Sequence, residues 1–296
     1  MGMNLNENLW RLYVAPKGRL GNIAQGVALN ILETARLKRR LNRTAHIILI
    51  HSQGKTGSTA MYEAMATSPL ADNAVTLQTH VIRAADNPRE KADRKGLAPR
   101  RTFYTTEMLY KVLSAPGFDG KRVTVVSAVR DPIERMISDF FQNLERYTPD
   151  RRYPAMGQYS AADYAKWFET EFDIFRSSDW FEEQFRDLFS LDLYATTFDQ
   201  EKGFQIVRSD EVVGGIIRYD RIKDAASAYF LELLGADIEL HRSNDSSAKV
   251  YADVYEDFKQ RVRFDREALE RLYEQEYVRH FYTGPERAAA VDRWSR

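Results

Sequence analysis

The stretch HIILIHSQGKTGSTAMYEAM, residues 46–65, constrains this 296-residue chain more than any other. A short apolar run bounded by His46 and His51 enters a turn of Gly, Lys and hydroxyl residues and then a helix start. A near-continuous apolar strand of this kind belongs in a parallel sheet covered on both faces. The same form returns in KRVTVVSAVRDPIERMISDFFQNL, residues 121–144. There Val123, Val125, Val126, Ala128 and Val129 make the apolar run, and Asp131-Pro132 opens a helix with Pro in a tolerated first-turn position. Two strand-turn-helix units, with the apolar strand of AVTLQTHVIR between them, predict an α/β protein whose central, mostly parallel sheet is flanked by helices.

The first turn has the chemistry of an anion site. A strand-to-helix turn aims backbone N–H groups and the positive end of a helix at one spot, and Lys55 adds a full charge there. A nucleotide-type phosphate loop needs a glycine five residues before Gly54, and that position is Leu49, inside the strand. The shorter loop suits one terminal phosphate better than a triphosphate. Gln53, Gly54, Lys55, Thr56, Gly57, Ser58 and Thr59 are the candidate contacts, with Gly57 allowing close backbone approach and the three hydroxyls donating to non-bridging oxygens. The competing assignment is a polar turn that caps a helix through Thr56 or Ser58. Arg130, at the carboxyl end of the second apolar run, is the matching guanidinium receptor for a phosphate, unless it is spent on an ion pair with Asp131 or Glu134.

A strand followed by QGKTGST, and later a strand followed by Arg130 with Ser138 eight residues on, resembles the sulfotransferases that use 3'-phosphoadenosine 5'-phosphosulfate, PAPS. The form of the first loop is closer to the carbohydrate, heparan-type enzymes than to the small-molecule ones. The chain is also similar to bacterial capsular polysaccharide synthesis proteins through SDWFEEQFRDLFSLDLY and LYEQEYVRHFY. The resemblance implies a three-layer fold like that of the P-loop nucleoside triphosphatases. It implies a first loop that binds the 5'-phosphosulfate, and Arg130 and Ser138 on the 3'-phosphate. Lys55 is then the catalytic cation and PAPS the only cofactor. Arg242, Ser243 and Lys249 occupy the region where the family completes the adenine and 3'-phosphate pocket, without matching its usual sequence.

Transfer to a hydroxyl needs a base, and Thr79-His80 ends the middle strand beside the first loop. The resemblance places a catalytic His or Glu there. His80 is the expected base, with Glu63 and Glu107 in reserve. No metal is expected: the sequence has no Cys, no HExxH pair and no calcium-loop spacing.

Forty-three basic and forty-three acidic residues cancel, which argues against a general nucleic-acid binder. Charge is nonetheless uneven. Residues 36–43 are strongly basic, and residues 83–101 carry seven basic and three acidic residues around Pro and Gly, a composition suited to a loop that meets an anionic acceptor. No apolar run approaches the roughly 18 residues that span a bilayer. The apolar stripe Ile23, Val27, Ile31 and Leu32, ending in basic residues, suits packing on a core or partner, or peripheral contact with a membrane surface. These features predict an N-terminal helical extension over 1–43, an α/β domain over 44–283 and a C-terminal tail over 284–296. The expected enzyme is bacterial and cytoplasmic, and sulfates a carbohydrate hydroxyl or amine in capsular or exopolysaccharide synthesis. A kinase-like phosphotransferase and a non-catalytic anion-binding protein of polysaccharide assembly are the alternatives.

Overall fold

The computed structural model describes residues 35–82, 109–110, 120–149, 152, 154–155, 157–171, 173–175, 179–240 and 252–296. Glu107, Arg242, Ser243, Lys249, the basic stretch 83–101 and the apolar stripe of the first 34 residues lie outside them. The chain divides into two compact units, one comprising 1–45 and 82–121, the other 46–81 and 122–296. In the first, a helix covers 35–43 and Lys121 donates to the Thr44 carbonyl at 3.0 Å.

The second unit holds the sheet. Strands β1 (His46–His51), β2 (Ala74–Thr79), β3 (Arg122–Val129), β4 (Phe204–Arg208) and β5 (Val212–Arg218) lie in the order β2-β1-β3-β5-β4. All neighbours pair in parallel except β4, which runs antiparallel to β5. Helix α1 (Ser58–Thr67) returns β1 to β2, whereas β3 leads through α2 (Pro132–Gln142) toward the other side of the sheet. Adjacent strands β1 and β3 therefore send their connections in opposite directions. That switch point opens a crevice at the carboxyl ends of the strands, where ligands bind in open α/β sheets.

Helices flank the sheet as the apolar runs require. On one face Ile48, Ile50, Val126, Ala128 and Ile217 pack with Met61 and Met65 of α1 and with Tyr229, Phe230 and Leu233 of α4 (Ile222–Leu234). Gly235, at φ 71°, stops α4 in the left-handed conformation that glycine adopts without strain. Consecutive glycines in β5 admit both layers. A Cβ at Gly215 would stand 2.7 Å from Leu233 and Tyr229, and one at Gly214 2.6 Å from Leu191. The closest approach of the helices to β5 thus depends on two missing side chains.

The aromatic-rich stretch over residues 159–189 includes α3 (Ala161–Glu171) and a short helical segment with a π turn at Glu182–Arg186. Their rings build core. Phe168 of α3 meets Phe140 of α2 and Phe258 of α5 (Ala252–Arg261), with centroids 5.1 and 5.6 Å apart. Helices α6 (Arg266–Tyr273), α7 (Glu276–Phe281) and α8 (Gly284–Trp294) complete the unit. Residues 284–296 are largely α8, opened by a capping box between Thr283 and Glu286 and anchored by buried Trp294. Among the described residues, no helix is long and apolar enough to cross a membrane.

Candidate functional site

Two short connections, from β1 to α1 and from β3 to α2, meet at the carboxyl edge of the sheet beside the end of β2. After β1 the chain runs through Ser52 and Gln53 into a turn where Lys55 has φ 74° and Gly57 φ 84°. Two left-handed residues within three positions bend the backbone into α1, and Gly57 is its N-cap. No side chain caps this helix. The N–H groups of its first turn are left for an anion, the opposite of the polar-cap assignment.

The hydroxyls of the loop divide their work differently from the sequence-based expectation. Thr56 is fully buried and its Oγ1 lies 2.8 Å from the Gln53 carbonyl and 2.9 Å from Ser52 Oγ, so it braces the turn from inside. Ser58 Oγ accepts a 2.9 Å hydrogen bond from Gln78 Nε2 of β2, which leaves the Ser58 proton to be donated elsewhere. Thr59 is exposed on the first turn of α1. Glu63 is also exposed, one turn further along α1.

Two cations line this edge. Lys55 Nζ donates to Gln142 Oε1 at the end of α2. Arg130 leaves the end of β3, donates to the Lys55 carbonyl at 3.2 Å and lies 4.6 Å from the centroid of the Tyr219 ring. The same ring closes over Gly57, where a Cβ would come within 3.2 Å of Tyr219. The ion pair foreseen as the competing use of Arg130 is present, with Glu134 at 3.6 Å, but it is looser than the one Glu134 makes with Arg293. Arg293 reaches the same carboxylate at 3.0 Å. Glu134 therefore keeps a partner when Arg130 turns to an anion.

Glu134, Ser138 and Gln142 are spaced four apart on α2 and so share one helix face. The first pairs with Arg130 and the last holds Lys55, which puts half-buried Ser138 on the stripe between the two cations' partners. No hydrogen bond joins Ser138 to Arg130 among the described residues. Asp131 is the N-cap of α2: its Oδ1 accepts from Glu134 N at 2.9 Å and its Oδ2 from the Tyr273 hydroxyl at 2.7 Å. Burial pushes this carboxyl above the usual carboxylate range, against the pull of those two donors.

His80 is exposed at the end of β2. Its Nδ1 lies 2.8 Å from the Ser52 carbonyl oxygen. A carbonyl can only accept, so Nδ1 carries a proton, and a ring with its single proton there has Nε2 as its acceptor. His51, one strand over, is its opposite. It is fully buried against Trp180, Phe185 and Phe189, and burial lowers its pKa to about 3. The Thr79 backbone and the Gln184 side chain lie beside the His51 ring and favour its charged form, but neither closes a well-formed hydrogen bond, so burial dominates.

Sequence reasoning named Lys55, His80, Arg130, Ser58 and Gly57 for this edge and missed Gln78, Gln142, Tyr219 and Trp180. The missed residues carry no local signal. Each acts through a contact with a residue that is between 20 and 162 positions away in sequence. Among the described residues, no group of three or more His, Asp or Glu is placed to hold a metal ion.

No curated protein and no solved structure matches the chain. Residues 167–283 match the model of a family described as "Putative capsular polysaccharide synthesis protein". The matched stretch contains Trp180, Tyr219 and Tyr273, which touch the site, and begins after the two loops that carry Lys55 and Arg130. Over that stretch, the chain is similar to proteins of capsular polysaccharide synthesis.

Proposed function

We propose that the protein is a sulfotransferase that moves a sulfuryl group from PAPS to a hydroxyl or amine of a carbohydrate acceptor in capsular polysaccharide synthesis. The observation that carries this reading is the meeting of an uncapped helix N-terminus, Lys55 and Arg130 at the β1–β3 switch point, with an exposed His80 beside them. An anion with two separated charged groups suits two cationic receptors. The first-turn N–H groups of α1 and Ser58 would hold the phosphosulfate end. Arg130, with Ser138 on the stripe behind it, would take the 3'-phosphate. The Tyr219 ring, already against Arg130 and Gly57, offers a flat face at the same edge.

In such a reaction, His80 Nε2 takes the acceptor's proton while the acceptor oxygen or nitrogen bonds to sulfur. The bond between sulfur and the bridging oxygen breaks, and its electron pair stays on that oxygen, which leaves as part of adenosine 3',5'-bisphosphate. Lys55 stabilises the charge that grows there. The displacement has a loose transition state, so position and fixed charge should do most of the work. To reach that oxygen, Lys55 Nζ would exchange its neutral partner Gln142 for the ligand.

A kinase-like reaction would need an acid such as Asp131, beside Arg130, to hold a metal ion. Both Asp131 oxygens are engaged by protein donors, and the glycine of a nucleotide-type loop is replaced by Leu49 inside β1. The test is a calorimetric titration with adenosine 3',5'-bisphosphate in EDTA, beside ATP and adenosine 5'-phosphate. Binding that requires the 3'-phosphate and is lost in Arg130→Ala supports the proposal. Binding of ATP alone, and only once Mg²⁺ is restored, would overturn it in favour of a phosphotransferase.

A further inference from the structure

We infer that Trp180 is a positioning residue for the His80 base, acting with the Ser52 carbonyl to hold one tautomer and one ring orientation. The inference rests on the sulfotransferase reading for its chemistry, but its geometry stands without that reading. The indole Nε1 donates to the His80 carbonyl at 2.7 Å, across 100 residues of sequence. The same indole packs on His51, with ring centroids 5.0 Å apart, and His51 is the residue just before Ser52. One buried side chain thus spans the ends of two adjacent strands. On β2 it fixes the backbone of His80, and on β1 it supports the residue whose neighbour receives the His80 Nδ1 proton.

The strand ends would otherwise be loosely joined. Beyond the last register pair, His51 with Thr79, the backbone contact is a long one, Ser52 N to the Thr79 carbonyl at 3.4 Å. The next rung is made by a side chain, His80 Nδ1 to the Ser52 carbonyl. Ser52 is itself braced from the anion loop, where Thr56 Oγ1 lies 2.9 Å from Ser52 Oγ. The position of the base is therefore set by Trp180 from one side and by the anion loop from the other. An exposed histidine has two neutral tautomers, and only the one with its proton on Nδ1 leaves Nε2 able to accept. Trp180 also belongs to the stretch that matches the capsular family model, whereas His80 and Ser52 do not. Support of the base is thus a task that the matched stretch performs for the unmatched loops.

Trp180→Phe removes the N–H and keeps an aromatic ring in the pocket. The expected result is a kcat lower by roughly tenfold, part of the about 10²- to 10⁴-fold that a placed general base supplies. KM for PAPS and affinity for adenosine 3',5'-bisphosphate should stay within about twofold, because the anion loop does not touch the indole nitrogen. Long-range ¹H–¹⁵N correlation of the ligand-free protein should show His80 as the Nδ1–H tautomer in the wild type and as a mixture in Trp180→Phe. An Nε2–H tautomer in the wild type, or an unchanged tautomer and unchanged kcat in the variant, would overturn the inference. The tautomer measurement needs neither donor nor acceptor, so it decides the inference even if bisphosphate titration shows that the sulfotransferase reading has failed. If the variant does not fold, an Nε2–H tautomer in the wild type still overturns the inference.

Discussion

Arg130 and Arg218 stand at the carboxyl ends of neighbouring parallel strands, Arg130 one position beyond Val129, which pairs with Arg218 in the register of β3 and β5. In sequence they look alike, each an Arg that ends an apolar run and precedes an acidic residue one or two positions on. The structure gives them opposite roles. Arg218 is buried and donates to Asp220, Glu286, Gln200 and the Phe281 carbonyl, with its guanidinium 4.5 Å from the Tyr282 ring centroid. Burial works against its charge, but the hydrogen bonds to Asp220 and Glu286 more than offset this and raise its pKa. Arg130 has one loose carboxylate, one backbone carbonyl and an aromatic face. A guanidinium at a strand end serves a ligand only where the protein has not already used its donors.

Four substitutions break or sharpen this contrast, from the largest effect to the smallest. Lys55→Ala, on the ligand side of it, should cut the transfer rate by about 10²- to 10³-fold, roughly 3 to 4 kcal/mol, with modest loss of bisphosphate affinity. Full activity in a PAPS-dependent transfer assay would remove Lys55 from the mechanism.

Arg218→Ala should instead cost about 3 kcal/mol of stability, the lower end for breaking a buried pair because the partner carboxylates are half-exposed. It strips Glu286 of the guanidinium that pairs with it and leaves only the Thr283 capping box at the start of α8. A denaturant melt that matches wild type would mean the network is decorative, and with it the distinction between the two arginines.

Arg130→Ala should leave that melt within about 1 kcal/mol, since a partly exposed pair contributes little. Its effect belongs in binding: affinity for adenosine 3',5'-bisphosphate should fall about 10- to 100-fold, as expected for a lost charge-assisted contact. A stability loss as large as that of Arg218→Ala, with no change in affinity, would invert the comparison.

Histidines repeat the pattern. His51 is buried with its pKa lowered to about 3, and His46, lowered to about 4 by burial and by Arg122, bonds Thr124 from within the sheet. A depressed native pKa makes the unfolded chain the better proton binder. The stability each neutral ring provides is thus present above pH about 6.5 and lost as pH falls toward the native pKa. His51→Phe should flatten the acid side of the stability curve by up to about 2 kcal/mol between pH 7 and 5. Urea melts across that range check this, and a slope equal to wild type would mean that the His51 ring takes up its proton alike in the native and unfolded states.

Much of the frame was legible because its signals are local. The apolar runs of β1 and β3 announce buried strands, Pro132 marks the first turn of α2 and Gly235 ends α4. Gly57 was read as the point of close approach, and it is the left-handed N-cap on which Tyr219 closes. Thr56 was read as a ligand contact and proves to brace the turn, because a hydroxyl's direction depends on which carbonyl the folded loop brings near it.

From the sequence alone came the α/β class, the strand-turn-helix units and the residue types of an anion site. These depend on periodicity and turn chemistry within a dozen neighbouring residues. Only the tertiary structure decided which arginine is engaged by the protein, which tautomer His80 presents, and that Gln142 and Trp180 attend Lys55 and His80. Those outcomes are set by hydrogen-bond partners brought together from distant segments by the order of strands in the sheet, and no local pattern encodes them.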